Sequence, residues 1–227
     1  MNFLLASPLF WATLTIATFV FGQQVYRLSH NNPFLQPVLV GLFLVVAVVE
    51  LTDTSYATYM SGGDYLNQML GPVVVMLAVP MVAFLHAMRR QWLRILLAVS
   101  VGSGLTIAVA GGLTYWLLGD EIVTKTILTK SVTTPIAVAI AEQMGGIPAL
   151  SSAFVMITGL LGALMIPTLL KVCKLDQPQS MGVALGVCAH AVGTAQALEY
   201  GQQQSAYAAM AMTLTGTLHA IILPLLF

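Results

Sequence analysis

Seven stretches of this chain carry no Asp, Glu, Lys or Arg: Met1–Tyr26, Leu28–Val49, Tyr65–Met88, Ile95–Gly119, Gln143–Leu170, Gln177–Leu198 and Tyr200–Phe227. Each is at least about the 20 residues that a helix needs to cross the hydrocarbon core of a bilayer. Only 7% of the 227 residues are charged, against about 25% in a soluble domain. Such a chain cannot cover its surface with polar groups in water. It reads as an all-α polytopic membrane protein. The alternating runs of about ten residues that a transmembrane β-barrel needs are missing. There is no basic tract to hold a phosphate backbone, which excludes nucleic acid as a partner. Disorder is excluded by the amount of apolar surface to be buried.

The first apolar run lacks a positive flank ahead of it, and Arg27 follows it. It is therefore expected to be a spanning helix rather than a cleaved signal. Cys173 and Cys188 form no C-x-x-C pair, so neither a disulfide framework nor a sulfur-bound metal is expected.

About eight hydrophobic segments follow. Segment one is Pro8–Leu28 and segment two Pro33–Leu51, joined by a turn at Asn31-Asn32-Pro33. Thr52–Gln68 reads as a polar loop. Segment three is Met69–His86. The basic cluster Arg89, Arg90 and Arg94 reads as the next loop, before segment four, Ile95–Leu118. Segment six is Ile147–Leu170, segment seven Gln179–Tyr200 and segment eight Gln204–Phe227. Glycines in segments four, six and seven allow close helix approach in lipid.

Segment five is different. Thr134-Pro135 is a helix start, with Thr134 as N-cap and Pro135 at the first helical position. Gly145-Gly146 is a stop. The helix Pro135–Met144 is then about 15 Å long, half a bilayer. A half-helix of this kind is tolerated only when buried in protein or lining a wet cavity. Segment seven is also interrupted, by His190, Gly193 and Thr194 at mid-depth. The expected architecture is transporter-like, with one or two broken or re-entrant half-helices. If segment five does not cross, Arg27, Arg89, Arg90, Arg94, Lys171 and Lys174 all fall on one side, as the positive-inside rule requires. Gly71-Pro72 and the aliphatic run after it echo Thr134-Pro135 and its run. This is either a structural repeat or a chance match of apolar residues.

The stretch Lys130–Pro135 carries the most chemistry. Orphan N–H groups at a half-helix start form a positive dipole end. Ser131, Thr133 and Thr134 add hydroxyls, and Lys130 adds a full charge. The set is either a midplane site for a small anion or an N-cap beside a snorkelling lysine. His190 either donates to a carboxylate ligand or bonds a carbonyl of a neighbouring helix. Glu142 opposes the dipole at the half-helix end; it is either a proton carrier or a loop residue in headgroup water. Glu199 reads as interfacial, with the same proton-carrying alternative. No metalloprotease, nucleophile-elbow or phosphate-loop signature is present. The chain is not expected to be an enzyme or to need a cofactor.

Four stretches together resemble the LrgB/CidB family of bacterial membrane proteins, which includes YohK-type proteins. They are Lys130–Ala137, Gly145–Ala149, Ala189–Ala195 with Leu198-Glu199, and Leu70–Pro72 through Ala78–Pro80. The resemblance runs from about Asn32 to Leu225 and extends to the C-terminal half of a plastid glycolate/glycerate transporter. It implies one transmembrane domain, residues 1–227, in the bacterial cytoplasmic membrane. It also implies two functions. One is antiholin-like or holin-like control of murein hydrolases and autolysis. The other is transport of a small monocarboxylate such as pyruvate, glycolate or glycerate. A small LrgA/CidA-type membrane partner goes with either, and self-assembly is left open. Broken helices and a buried cation favour transport, with a substrate site of Lys130, Ser131, Thr133, Thr134, Pro135, His190, Gly193, Thr194 and Gln196. Relatives commonly carry arginine at the position of Gln196 and serine at that of Ala189. Glutamine cannot reproduce the bidentate grip of arginine on a carboxylate.

Overall fold

The computed structural model describes residues 5–29, 32, 35–69, 72, 75–76, 78–175 and 177–227. Most of the described residues are helical, and no strand occurs among them. It divides into two units, Met1–Met76 and Leu77–Phe227.

In the first unit α1 is Pro8–Leu28, α2 is Pro37–Leu51 and α3 is Tyr56–Gln68. Segment one has the expected bounds. Segment two begins at Pro37, where the proline suits the first helical turn. The expected polar loop is mostly helix α3. Its N-cap is Ser55, whose Oγ accepts from the Thr58 N–H at 3.2 Å. Composition misled here: α3 is polar, but it is capped and packed. Gly62 lies against Pro8 and Trp11 of α1. The Trp11 ring meets that of Tyr59 edge-on at 5.9 Å.

The second unit holds α4 (Ala78–Ala83), α5 (Leu85–Leu118), α6 (Glu121–Ile127), α7 (Thr134–Gln143), α8 (Pro148–Val172), α9 (Pro178–Tyr200) and α10 (Gln202–Leu226). Residues 70, 71, 73, 74 and 77 of segment three, half of the run that echoes Thr134-Pro135, lie outside the described residues. Arg89, Arg90 and Arg94 do not form a loop. They sit in the first turns of α5, a 34-residue helix roughly 51 Å long. Its length beyond about 30 Å of hydrocarbon lets these charges stand outside it.

Two chain reversals set the architecture. After α5 the chain turns at Gly119, which is left-handed with φ 63°. It then comes back alongside α5: a β-carbon on Gly111 would meet the Leu128 side chain at 2.8 Å. At Thr133 it turns again into α7. The main-chain N–H of Ile147 donates to Thr126 Oγ1 at 2.9 Å. The excursion from 127 to 146 therefore returns to the level it left. Segment five is a re-entrant hairpin whose second arm, α7, is ten residues long as expected. The helix begins one residue early: Thr133 is the N-cap, and Thr134 and Pro135 are helical.

The second reversal lies inside α9. By length and composition α9 passes as one of four helices able to cross a membrane. Yet His190 has φ 40° and ψ −126°, close to the first central residue of a type II′ turn. A β-carbon on Gly193 would lie 2.6 Å from the Ala189 Cβ and closer still to the Leu185 carbonyl oxygen. In a continuous helix residues 185 and 193 stand roughly 12 Å apart. The arms 178–189 and 191–200 are thus antiparallel, and Ala197 packs with Met181 and Leu185 near the start of the first arm. Helix α10 then leaves from that same end: a β-carbon on Gly182 would touch Tyr207 Cβ at 2.7 Å. Segment seven is a second re-entrant hairpin rather than a span.

In the second unit, then, α5, α8 and α10 are each long and apolar enough to cross a bilayer, and a hairpin stands between each successive two. The first hairpin inserts from the end holding Leu118. The second inserts from the end holding Arg94.

Candidate functional site

Both hairpins pack against α8, the first at Ser151 and the second from Val155 onward, about 6 Å further along its axis. Helix α8 passes both: Thr129 Oγ1 is 2.7 Å from Ser151 Oγ, and His190 Nε2 is 3.0 Å from the Val155 carbonyl oxygen. Gly159 leaves the space that the imidazole fills, since a β-carbon there would meet His190 Cε1 at 2.7 Å. Gly162 does the same for Ala189 at 2.9 Å. Gly159 stands 11 residues from the start of α8 and 13 from its end, roughly 17 and 20 Å. The second tip is therefore near mid-depth.

An open cavity of about 350 Å³ is lined by Lys130 and Ser131 from the first hairpin, Cys188 from the second, and exposed Leu161, Met165 and Leu169 of α8. Thr106 of α5 and Thr158 and Gly162 of α8 complete its polar and narrow parts. The remaining wall is aliphatic. Its size falls within the ~300–1,000 Å³ typical of small-molecule sites. Lys130 is half-buried, and its Nζ is 3.5 Å from Ser131 Oγ. Among the described residues it has no carboxylate partner. The ion pair seen there is Lys125 with Glu121, at 2.6 Å. A half-buried ammonium facing a mostly apolar cavity favours an anion as its neighbour.

Of the residues expected at the site, only Lys130 and Ser131 line this cavity; Thr133, Thr134 and Pro135 at the start of α7, and His190, Gly193, Thr194 and Gln196 of the second hairpin, do not. Thr133 makes no side-chain cap bond to its own helix. The first N–H groups of α7 are left to another acceptor, apart from that of Pro135, which has none. Thr133 and Thr134 are half-buried and Pro135 is exposed. Ser131 is buried beside Lys130.

The second tip is held rigidly. His190 is buried, with Nε2 on Val155 and Nδ1 unpartnered among the described residues. The sequence left His190 as either ligand group or helix-to-helix bond. The bond is present; the other ring nitrogen is buried, and His190 lines neither cavity. Thr194 Oγ1 donates to the His190 carbonyl at 2.8 Å and is 3.6 Å from Met212 Sδ, so it braces the turn. Gly193 sits in the crook of the hairpin. Gln196 is half-buried on the returning arm, with Oε1 unpartnered. Glu142 and Glu199 are both exposed, away from the buried tips.

Sequence reasoning missed two residues. Cys188 was read only for disulfides and metals, yet it lines the cavity. The second is His219, which the sequence reading did not single out. It is fully buried on α10, and neither ring nitrogen has a partner among the described residues. Its isolation in an apolar run was the available signal. Among the described residues no three of His, Cys, Asp and Glu come together as a metal site.

The sequence profile of the LrgB-like family matches residues 15–227. The chain belongs to the LrgB-like family. It is 38% identical to YxaC of Bacillus subtilis (strain 168), over 93% of this chain and 92% of the relative. It is 30% identical to YwbG of the same organism, over 94% of each chain. The antiholin-like protein LrgB of B. subtilis is 27% identical over 96% of this chain and 94% of its own. No solved structure matches the chain. Two of the four stretches that carried the resemblance to this LrgB-like family fall at the two reversals. Lys130–Ala137 forms the first tip and its helix, and Ala189–Ala195 forms the second.

Proposed function

We propose that the chain is an antiholin-like membrane protein that modulates murein hydrolase activity, and that its molecular act is to pass a small monocarboxylate. The first part is supported by the relatives named antiholin-like protein LrgB, which match nearly end to end. The second is supported by one observation: Lys130, with no carboxylate partner among the described residues, faces a cavity lined by residues of both hairpins. Broken helices converging at mid-depth are the common plan of secondary-transporter sites. A structural subunit has no use for such a cation.

In this reading Lys130 supplies the charge that holds a carboxylate of the pyruvate, glycolate or glycerate class. Ser131, Thr133, Thr134 and the N–H groups around Pro135 complete the anion contacts. His190, Gly193 and Thr194 shape the facing tip, and Gln196 stands where relatives carry arginine. Glu142 or Glu199 carries a coupled proton from an exposed position. No covalent chemistry is involved. The protein works in the bacterial cytoplasmic membrane beside a small LrgA/CidA-type partner, with its arginine-rich end in the cytoplasm.

The test is uptake of labelled pyruvate and glycolate by vesicles, with and without the partner, together with autolysis rates of a deletion strain carrying wild type or Lys130→Ala. Loss of uptake and altered lysis in parallel support the whole reading. Altered lysis with unchanged uptake of every carboxylate removes the transport part and leaves the antiholin-like part.

A further inference from the structure

A second cavity, of about 390 Å³, opens at the basic end of the second unit. Helix α5 contributes Gln91, Arg94 and Gly102 to it, and the first arm of α9 contributes Gln179, Ser180 and Cys188. Cys188 therefore lines both cavities. So does the face of α5: Gly102 borders the outer cavity and Thr106, one turn further, the inner one. A β-carbon on Gly102 would lie 3.4 Å from Val187, in ordinary van der Waals contact, so α5 and the first arm of α9 run close together here. Polarity is graded along this path. Gln91, Arg94, Gln179 and Ser180 stand at the mouth, small residues at the join, and Lys130 with Ser131 at the inner end. Arg94 is exposed and has no acidic partner among the described residues. The reading of Arg94 as one of three interchangeable topology charges does not explain why it alone of the cluster lines the cavity.

From this geometry we propose that Arg94 is the outer of two cationic stations on an access route for small carboxylates. The route starts at the basic end, passes Cys188, and ends at Lys130. It rests on the transport reading above and adds the path and the specificity element. A guanidinium at a mouth with low-dielectric walls raises the local concentration of anions and repels cations. It also offers a planar fork that a carboxylate can meet on both oxygens. The carboxylate is drawn in at Arg94 and handed to Lys130, and the narrow join limits it to a few heavy atoms.

The native thiol reports on the route. In full-length Cys173→Ser protein in everted membrane vesicles, Cys188 is titrated with an anionic sulfonatoethyl and a cationic trimethylammonioethyl thiosulfonate. Arg94→Ala and Arg94→Glu should slow the anionic reagent progressively, by about tenfold for the reversal, and speed the cationic one. Arg89→Ala, which leaves the cavity lining intact, should change neither. Equal rates for all Arg94 variants, an Arg89 effect as large as that of Arg94, or no reaction of Cys188 from this side overturns the route. Pyruvate added at saturating concentration tests the underlying reading separately. Charge-selective labelling without protection by any monocarboxylate keeps the route and removes the substrate class. Protection that is indifferent to Arg94 keeps the substrate class and removes the route.

Discussion

The main-chain N–H of Ile147 rests on Thr126 Oγ1 at 2.9 Å, while the same hydroxyl donates to the Ile122 carbonyl at 2.7 Å. One fully buried threonine thus closes the base of the first hairpin. It fixes where the chain leaves and where it returns. Thr126→Val keeps the shape and removes the acceptor, leaving a helix-start N–H unpaired. The expected cost is about 1–3 kcal/mol, read as a lower thermal midpoint in detergent. Thr126→Ser should be close to wild type. A Thr126→Val protein as stable as wild type would mean that packing alone closes the hairpin.

Because that hairpin returns to its own side, Gln91 and Gln179 face one cavity at one end. Single cysteines at Gln91 and Gln177, in a background without Cys173 and Cys188, should react alike with an impermeant reagent from the cytoplasmic side. A cysteine at Asp120, beyond the far end of α5, should react from the opposite side. Opposite accessibility of Gln91 and Gln177 is incompatible with the re-entrant reading.

The second hairpin depends on an absent side chain. Gly193→Val would force a β-carbon into Ala189 and the Leu185 carbonyl. The rigid backbone contact predicts a loss of about 1–3 kcal/mol or more. Gly104 of α5 has nothing within 4 Å of the same position, so Gly104→Ala should be neutral or stabilising by up to about 1 kcal/mol. Thermal midpoints of the purified variants compare the two. Similar effects at both sites would argue against the folded-back arm.

The same turn separates backbone from side-chain roles at His190. Its φ of 40° places a bulky residue where glycine is at ease, at a strain of about 1–3 kcal/mol. His190→Gly should relieve strain while losing the bond to Val155, and so keep near-normal stability with impaired uptake. His190→Ala keeps the strain and loses the bond, and should be the less stable of the two. If His190→Gly transports normally, the imidazole serves the fold alone.

How far these features were legible follows from what each signal measures. The ten-residue helix after Thr133 was legible because Pro135 and Gly145-Gly146 punctuate it and its length is half a bilayer. The break at His190 was legible as a polar interruption. Its direction was not: an apolar run of 23 residues reads alike whether it spans or doubles back, and only the Gly193–Leu185 approach decides. Helix α3 was missed because hydrophobicity marks lipid contact rather than helicity, and α3 is polar. The arginines of α5 read as a loop because charges mark the edge of the hydrocarbon, which a 34-residue helix simply passes. Cys188 was invisible as a lining residue because its partners lie on α5 and the first hairpin, distant in sequence.

The charge at the inner cavity gives the most direct test of the site. Lys130 is the cation lining that cavity, and Lys125 is occupied by Glu121 and by the Phe227 ring at 5.6 Å. Lys130→Ala leaves the start of α7, Ser131 and Thr133 to hold a carboxylate. Losing a charge-assisted contact that is partly shielded from water should cost about 1.5–3 kcal/mol, or roughly 10- to 150-fold in apparent affinity. Lys130→Gln should resemble the alanine change, because the amide restores a donor but no charge. Lys130→Arg should be milder, since the charge is kept while its geometry shifts. Gln196→Arg places a second cation on the returning arm of the second hairpin, where the unpartnered Oε1 lies buried outside both cavities, and should tighten binding only if the arginine the family resemblance implies there reaches the substrate. Uptake measured against pyruvate concentration for the four variants at matched expression reads all of these effects. If Lys130→Ala transports with unchanged affinity and rate, the lysine is only an anchor for the first hairpin, and the anion must bind elsewhere along the two cavities.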